Sequence, residues 1–312
     1  MTLKIEDIKA FLSGRKIEFY QDREIKSFLT LRIGARVRFI IVIRESRDLH
    51  ALLRLFHQGR QRYILLGGGS NVIFPDCNSD LIVIINRTSA ISKLGGEKIK
   101  VNSGITNANL LSWNSEHNVG GMEFLAGIPG TIGGAAAVNA GAFGKSISEI
   151  LEKADIFSEK GESKTVDRAY FNYGYRESVF KYGNEVILNV YLRFEKADNR
   201  AIREKTRGNI RYRKDNHPSY KENTAGCFFK NPVNKGQKIS AGKLIENSGL
   251  KGAEYGDLII SPAHANFLIN RGSASFSDIQ AFSEQVCQKV LQDSGIQLER
   301  EVIYISPQGQ KY

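Results

Sequence analysis

The fold is decided by one glycine-rich stretch, GGMEFLAGIPGTIGGAAAVNAGAFG, which spans Gly120 to Gly144. Glycines and alanines are interleaved there with short apolar runs, so the segment has little side-chain bulk on either face. A backbone of this composition can lie directly against a flat ligand, because glycine has no Cβ to hold the ligand away. A tight interface between small-residue helices is the alternative interpretation. The polar side chains of Thr131 and Asn139 favour the ligand.

A second glycine segment precedes it. Residues 65–74 read LLGGGSNVIF, so a strand-like run enters three glycines and leaves through Ser70 and Asn71 into another strand-like run. Consecutive backbone N–H groups in such a loop form an anion-binding nest, and the two polar side chains add hydrogen-bonding groups. The segment lacks both the lysine of a P-loop and the spacing of G-x-G-x-x-G. A flexible connection between strands is the alternative.

Apolar patterns around these segments predict alternating strands and helices. In chain order we expect a helix at 1–16, a strand at 36–43, a helix at 46–59 capped by Ser46, strands at 63–67, 80–86 and 98–104, a helix at 107–117, strands at 154–159 and 184–195, helices at about 203–214 and 276–295, and a strand at 298–307. The strand-helix-strand order before residue 90 is typical of an α/β layer. Alternation in the last strand would place Glu299 and Glu301 on one face.

The formal net charge of +11 allows two classes of partner. One is nucleic acid, and the other is a set of small anionic ligands. The densest basic run, at 203–214, is opposed only by Glu204, but no zinc-finger, RRM or helix-turn-helix pattern accompanies it. We therefore expect no nucleic-acid partner and interpret the diffuse charge as a solvated surface.

The cysteines and the apolar runs indicate whether the chain binds a metal and where in the cell it is located. Cys77, Cys227 and Cys287 are too widely spaced for a metal or redox site, so we expect no metal. No apolar run approaches the roughly 20 residues that cross a bilayer, and the first residues lack the apolar core of a signal peptide. These features predict a cytoplasmic protein without membrane insertion.

Five further motifs follow the glycine segments along the chain. They are YRES at 175–178, AGCFFKNP at 225–232, AGKLIE at 241–246, HANFLIN at 264–270 and LEREV at 298–302. In this order and combination the motifs resemble the UDP-N-acetylenolpyruvoylglucosamine reductase family, over about residues 29–302. Only residues 181–183 separate Phe180 from the next predicted strand, so the chain is similar to the shorter class that lacks a tyrosine-lid insertion.

The resemblance implies an α+β fold. A bipartite FAD-binding domain of the vanillyl-alcohol-oxidase/p-cresol-methylhydroxylase type would be joined to a smaller α/β substrate-binding domain. The implied divisions are FAD-binding subdomain 1 at 1–90, FAD-binding subdomain 2 at 91–200, the substrate-binding domain at 201–297, and a C-terminal strand at 298–312 that carries a catalytic carboxylate.

The resemblance also implies a reaction. Bound FAD, reduced by the co-substrate NADPH, would reduce the enolpyruvyl ether of UDP-N-acetylglucosamine to UDP-N-acetylmuramate. The residues implied to bind FAD are Gly67, Gly68, Gly69, Ser70, Asn71, Gly127, Gly130, Thr131, Gly134, Asn139, Gly141 and Arg213. Those implied to bind the UDP-sugar are Tyr175, Lys230 and Asn231.

Three residues match the family's catalytic positions: Arg176, Cys227 and Glu301. Hydride attack on an enol ether conjugated to a carboxylate drives negative charge into that carboxylate, where the planar fork of Arg176 would stabilise it together with Glu301. Cys227 would then donate the proton, and here the chain departs from the serine that is usual in the family. A thiol has a reference pKa of about 8.5, so it is still mostly protonated at neutral pH.

Two other functions fit parts of the sequence. A flavin oxidase or dehydrogenase of the same fold could act on another substrate, because fold alone does not fix the reaction. A non-catalytic binding protein would account for the positive charge alone. The AGCFFKNP and LEREV motifs favour the reductase over the other flavin enzyme, and flavin absorbance of the purified protein would exclude the binding protein.

Overall fold

The computed structural model describes residues 3–312, which contain eight α-helices and several shorter 3-10 turns. The helices are α1 (Ile5–Gly14), α2 (Ser46–Gln58), α3 (Asn107–Glu116), α4 (Ile132–Ala137), α5 (Ile147–Ile150), α6 (Asn199–Asn216), α7 (Ala241–Asn247) and α8 (Phe276–Ser294).

The strands form three main sheets and four two-stranded pairs. In chain order they are β1 (Glu18–Glu24), β2 (Arg36–Ile43), β3 (Ile64–Leu66), β4 (Val72–Ile73), β5 (Ser79–Asn86), β6 (Ile91–Leu94), β7 (Lys98–Asn102), β8 (Val119–Gly120), β9 (Gly141–Ala142), β10 (Lys145–Ser146), β11 (Leu151–Phe157), β12 (Ser163–Asp167), β13 (Val186–Arg193), β14 (Glu195–Lys196), β15 (Asn223–Cys227), β16 (Val233–Asn234), β17 (Gln237–Lys238), β18 (Glu254–Tyr255), β19 (Leu258–Ile260), β20 (Phe267–Asn270) and β21 (Ile303–Tyr304).

Within residues 3–312 the predicted elements are present, and two details of the predictions are wrong; residues 1 and 2 of the predicted first helix lie outside the described residues. Glu45, not Ser46, is the N-cap of α2, and Ser46 is the first helical residue. The C-terminal strand covers only Ile303–Tyr304, so Glu301 lies before it in an extended segment that makes one isolated bridge, Phe229 to Arg300. The ends of strands and the caps of helices depend on contacts with distant segments, and the periodicity of a sequence does not reveal such contacts.

The chain divides into two compact units. The first consists of residues 3–21, Phe39–Gly68 and Leu81–Tyr212, and the second consists of Asp22–Arg38, Gly69–Asp80 and Arg213–Tyr312. Both glycine segments contribute to the first unit, and the AGCFFKNP and LEREV motifs lie in the second. The functional division into four regions stays a prediction.

The first unit contains two sheets. One has the order β1-β2-β5-β3, with β3 parallel to β5, and the other has the antiparallel order β12-β11-β13-β7-β6. The run from Phe39 to Ile43 is buried throughout, as expected of a central strand covered on both faces. Helix α2 packs its apolar stripe into the same core, with Leu49, Leu53 and Phe56 buried.

The second unit has an antiparallel sheet of order β15-β20-β19-β18, covered by α7 and α8. Its core includes Phe228, Phe229 and Tyr304, all nearly fully buried. Strand β21 pairs in parallel with β4, so the end of the chain lies beside the segment that leaves the glycine loop at Asn71. No helix among residues 3–312 is long and apolar enough to cross a membrane.

The N-terminus of α8 is capped from a distant segment of the second unit. The Asp76 carboxylate accepts from the backbone N–H of Phe276 at 2.6 and 2.7 Å and of Ser277 at 3.2 Å. Ser275 adds a capping box with Asp278. The first N–H groups of a helix have no intrahelical partner, so a carboxylate there satisfies them and stabilises the helix dipole.

We expect Asp76→Ala to lower the free energy of unfolding by about 1–2 kcal/mol, because it removes a cap and a favourable charge at once. Asp76→Asn should lose less, since it keeps an acceptor oxygen. Urea unfolding followed by circular dichroism measures both. Asp80→Ala is the control, because that exposed carboxylate pairs only with Arg38 at the surface. An Asp76→Ala variant as stable as the Asp80→Ala variant would contradict the assignment.

Candidate active site

The two glycine segments meet within the first unit. A Cβ added to Gly68 would lie 2.6 Å from Gly130 Cα, and one added to Gly67 would collide with the Thr131 hydroxyl. Real Cβ atoms do not approach other backbone atoms so closely, so neither position accepts a side chain without movement. Gly130 itself has φ +120°, a conformation that favours glycine.

The start of α4 follows directly from this contact. Thr131 is buried, and its hydroxyl accepts from Gly134 N at 3.3 Å as the N-cap of the helix. Gly127, at φ +72°, turns the chain just before it. The composition of 120–144 therefore serves a tight turn and a short helix whose N-terminus lies beside the Gly67–Gly68 segment.

The remaining glycine of the loop, Gly69, belongs to the second unit. Gly69 has φ +61°, and a Cβ there would collide with the carbonyl of Phe28. Ser70 and Asn71 follow, both half-buried. The Asn71 carbonyl accepts from Ile303 N at 3.0 Å, and its side-chain amide lies 3.5 Å from the Glu301 carbonyl oxygen.

Arg176 is tied to the glycine-rich stretch. Its Nη2 donates to the Gly141 carbonyl at 2.7 Å, and its Nη1 lies 3.3 Å from the Asn139 carbonyl. Asn139 in turn donates from Nδ2 to the Gly174 carbonyl at 2.8 Å and accepts from Ser148 N at 3.2 Å. These bonds fix the orientation of a guanidinium that the sequence predicts to be catalytic.

The turn that carries Arg176 is strained and braced. Arg176 has φ +60°, which is uncommon for a residue other than glycine, and Gly174 and Glu177 exchange two backbone hydrogen bonds around it. Glu177 accepts from the ammonium of Lys181 at 3.0 Å, and that lysine side chain is 0% exposed. Tyr175, also in the turn, is exposed at 39% and lies against the Arg176 guanidinium.

Cys227 ends a bulged strand. Strand β15 pairs with β20 through Thr224 to Ile269 and Cys227 to Phe267, so β15 contains one extra residue between these pairs. Gly226 lies within the bulge at φ +81°. A bulge changes the direction of the side chains that follow it, and such bulges are common beside active sites. The half-buried position of Cys227 depends on this irregularity.

The LEREV segment lies beside AGCFFKNP. Glu301 N donates to the Phe228 carbonyl at 2.8 Å, and Lys230 N donates to the Glu299 carbonyl at 2.8 Å. The ammonium of Lys230 also contacts the Glu299 carboxylate at 2.5 Å. Two of the predicted catalytic residues, Cys227 and Glu301, are therefore carried by neighbouring segments of one unit.

Two other predicted ligand-binding residues of the second unit, Asn231 and Arg213, take part in helix structure. Asn231 uses its side-chain oxygen to accept from Ala241 N at 2.9 Å, so it anchors the start of α7. Arg213 lies half-buried in the last turn of α6, where its carbonyl accepts from His217 N. The structure gives both residues a structural contact beside any ligand role.

Two histidines that the sequence analysis did not single out lie near the bulge. The rings of His217 and His264 are 5.2 Å apart, and each is 5.1 Å from the ring of Phe267, the register partner of Cys227. Burial lowers the pKa of His217 to about 4 and also lowers that of His264, so both imidazoles are neutral at pH 7. Only tertiary structure brings them together.

One cation at the glycine segment was also missed. Arg87 Nη1 donates to the Gly67 carbonyl at 2.7 Å, across 20 residues of sequence. Residues 3–312 contain no cluster of three or more His, Cys, Asp and Glu side chains placed to bind a metal ion. The candidate residues are thus glycine backbone, Arg87 and Arg176 in the first unit, and a thiol and a carboxylate in the second.

The glycine segments fit FAD as a ligand. Neither Gly67 nor Gly68 accepts a side chain without movement, and backbone free of Cβ atoms can approach the diphosphate and planar ring of a dinucleotide closely. The residues that would hold it in the first unit are the Gly67–Gly68 segment and the turn from Gly127 to Thr131.

Two family models match the chain. The model described as FAD binding domain matches residues 37–167, and the one described as UDP-N-acetylenolpyruvoylglucosamine reductase, C-terminal domain, matches residues 217–305. These segments contain the glycine segments and the AGCFFKNP and LEREV motifs, respectively.

Relatives match over nearly the full length. The UDP-N-acetylenolpyruvoylglucosamine reductase of Geobacter metallireducens is 35% identical over 296 residues, covering 95% of each chain, and that of Chlamydia abortus is 32% identical over 89% of this chain and 91% of the relative. The crystal structure of the reductase from Thermus caldophilus superposes with a TM-score of 0.74 at 27% identity, over 92% of this chain and 98% of that one. The predicted resemblance and fold are confirmed, and the chain belongs to the UDP-N-acetylenolpyruvoylglucosamine reductase family.

Proposed function

We propose that this chain is an FAD-dependent oxidoreductase that uses NADPH to reduce the enolpyruvyl ether of UDP-N-acetylglucosamine to UDP-N-acetylmuramate, a peptidoglycan precursor. The observation that carries the proposal is that one chain contains both an FAD binding domain and the C-terminal domain of this reductase. A cytoplasmic location follows in the proposal, because the reaction consumes NADPH and a nucleotide sugar.

FAD, when bound, supplies the hydride that it has received from NADPH. The residues Gly67, Gly68, Gly130 and Thr131 support binding through their close backbone contact. Gly127, Gly134, Asn139, Gly141 and, in the second unit, Gly69, Ser70, Asn71 and Arg213 complete the proposed set.

Arg176 stabilises the negative charge that develops on the substrate's carboxylate. Two of its N–H groups are aimed by the carbonyls of Asn139 and Gly141, so the planar guanidinium is held in one orientation before the substrate arrives. A preorganised cation stabilises developing charge without reorganisation during the reaction, which is the largest contribution in many enzymes.

Cys227 donates the proton that completes the reduction of the double bond, and Glu301 assists at the carboxylate. The thiol is half-buried at the end of β15, and the backbone N–H of Glu301 is bonded to the next residue of that motif, Phe228. Tyr175, Lys230 and Asn231 bind the UDP-sugar in the proposal. The positive net charge of the chain favours such anionic substrates.

The overall reaction is tested directly on the purified protein. We expect bound flavin, and NADPH oxidation that depends on added enolpyruvyl-UDP-N-acetylglucosamine with UDP-N-acetylmuramate as the product by mass spectrometry. A flavoprotein that oxidises NADPH only with molecular oxygen, and leaves the enolpyruvyl substrate unchanged, would instead support an oxidase or dehydrogenase of the same fold.

Arg176→Lys should slow flavin reoxidation by the enolpyruvyl substrate about 30- to 1000-fold, which corresponds to about 2–4 kcal/mol of lost transition-state stabilisation. Flavin reduction by NADPH should remain largely intact, because no additional negative charge develops on a substrate carboxylate in that half-reaction. Stopped-flow absorbance separates the two rates. Arg193→Lys, which alters an exposed arginine paired with Glu152, is the matched control. Equal damage to both half-reactions would assign Arg176 to folding or general binding.

Cys227→Ala should accept hydride from NADPH but fail to turn over the enolpyruvyl substrate, whereas Cys227→Ser should keep substantial activity because a hydroxyl can also donate a proton. The cysteine enzyme should lose reoxidation as the pH rises through the pKa of the thiol, because a thiolate has no proton to give. The serine variant should lack that loss. Rapid-mixing rates from pH 6 to 10 provide the measurement.

Peroxide adds an independent test of the same thiol. It should inactivate the parent enzyme faster than Cys227→Ser, with the substrate protecting, since thiols oxidise and hydroxyls do not. Cys77→Ser is the control, because that cysteine is exposed and belongs to no proposed site. Full activity and an unchanged pH profile in Cys227→Ala would remove Cys227 from the mechanism.

A further inference from the structure

Arg87 lies at the carboxyl edge of two parallel strands, where ligands bind in many α/β proteins. Strand β3 ends at Leu66 and is followed by Gly67, while β5 ends at Asn86 and is followed by Arg87. The two strands are parallel, with Leu66 opposite Ile85, so the glycine segment and the arginine leave the same carboxyl edge. In open sheets with parallel strands, ligands bind outside this edge.

The environment of Arg87 leaves its positive charge without a protein counter-charge. The guanidinium is half-buried, and its Nη1 donates to the Gly67 carbonyl at 2.7 Å. Among residues 3–312 no carboxylate lies within ion-pair distance of it. Its neighbour Arg44 is paired with Glu18 instead. Burial, with a smaller effect of Arg44, lowers the pKa of Arg87, as expected for a cation without a partner.

The glycine segment itself supplies no cation. Residues 65–74 contain neither lysine nor arginine, and nucleotide loops of the P-loop type do carry such a charge. An arginine whose first N–H group bonds the loop backbone still has four N–H donors in a rigid fork, which matches phosphate oxygens. The missing positive charge is thus present, but it comes from the end of the neighbouring strand.

We infer that Arg87 binds the diphosphate of FAD beside the Gly67–Gly68 segment, as the cation that this glycine loop lacks. The inference rests on the proposed function in one respect, namely that FAD is the ligand. It concerns cofactor affinity and not the chemistry of reduction, so it is tested by binding.

The test is the dissociation constant of FAD, measured by the rise of flavin fluorescence when the holoprotein is diluted. We expect Arg87→Gln to weaken FAD binding about 10- to 100-fold, the range for one hydrogen-bonded charge contact. The dependence of binding on KCl concentration should also become flatter, because one screened charge contact is lost. Arg87→Lys should retain most of the affinity and the salt dependence of the parent.

Competition separates the phosphate from the rest of the nucleotide. The inhibition constant of ADP, corrected for the FAD affinity of each variant, should be higher for Arg87→Gln than for the parent. The inhibition constant of adenosine, which has no phosphate, should be the same for both. Arg62→Gln is the matched control, since this exposed arginine precedes β3 at the opposite end of that strand. Thermal unfolding of each variant confirms that it is folded.

The outcomes are distinct. Unchanged FAD affinity in a folded Arg87→Gln variant would overturn the inference. Equal losses in Arg87→Gln and Arg87→Lys with an unchanged salt dependence would also overturn it, by showing that Arg87 only fixes the Gly67 carbonyl. A parent protein that binds no flavin would refute the proposed function itself, whereas a normal reductase with an unaffected Arg87→Gln variant would refute only this inference.

Discussion

The close backbone contact between Gly68 and Gly130 determines where much of the first unit's chemistry lies. A Cβ at position 68 would lie 2.6 Å from Gly130 Cα, so no residue other than glycine fits there without displacing the chain. The contact places the turn before α4 beside the carboxyl edge of β3, and Thr131 then caps α4 there. The approach keeps side chains out of the space between the two glycine segments. The cost is conformational freedom, since glycine loses more entropy on folding than other residues.

The same glycine-rich stretch also positions the predicted catalytic arginine. Arg176 has a left-handed backbone conformation, which costs on the order of 1 kcal/mol or more and persists only when surrounding contacts hold it. Those contacts are the paired bonds of Gly174 with Glu177 and the bonds of Arg176 to the carbonyls of Asn139 and Gly141. The carbonyls of Asn139 and Gly141 thus hold the arginine in one orientation. One segment therefore contains residues predicted to bind FAD and also the contacts that position the predicted catalytic arginine.

The sequence carried the elements and the order of the motifs, but not the contacts between distant segments. The buried run 39–43 was predictable because a strand covered on both faces is apolar throughout, and α2 was predictable because a helix imposes a period of 3.6 on its apolar residues. The bulge at Gly226, which sets the place of Cys227, was not, since an extra residue in a strand is defined only by its partner. Arg87 was also missed, because it is 20 residues from the glycine it contacts. The cap at Glu45 differs from the predicted Ser46 by one residue, within the ordinary uncertainty of helix ends.

Net charge told little about the ligands, whereas the location of buried charge tells more. Most of the 44 basic residues lie among acidic ones, and exposed ion pairs contribute little. Removing a cation from water is costly unless an opposite charge accompanies it. Lys181 is fully buried and has Glu177, and Lys230 is nearly buried and has Glu299. Arg87 is half-buried with no carboxylate in reach among residues 3–312, and it bonds the carbonyl of Gly67 in the glycine loop. The FAD diphosphate proposed as its ligand would supply the opposite charge that the described residues do not.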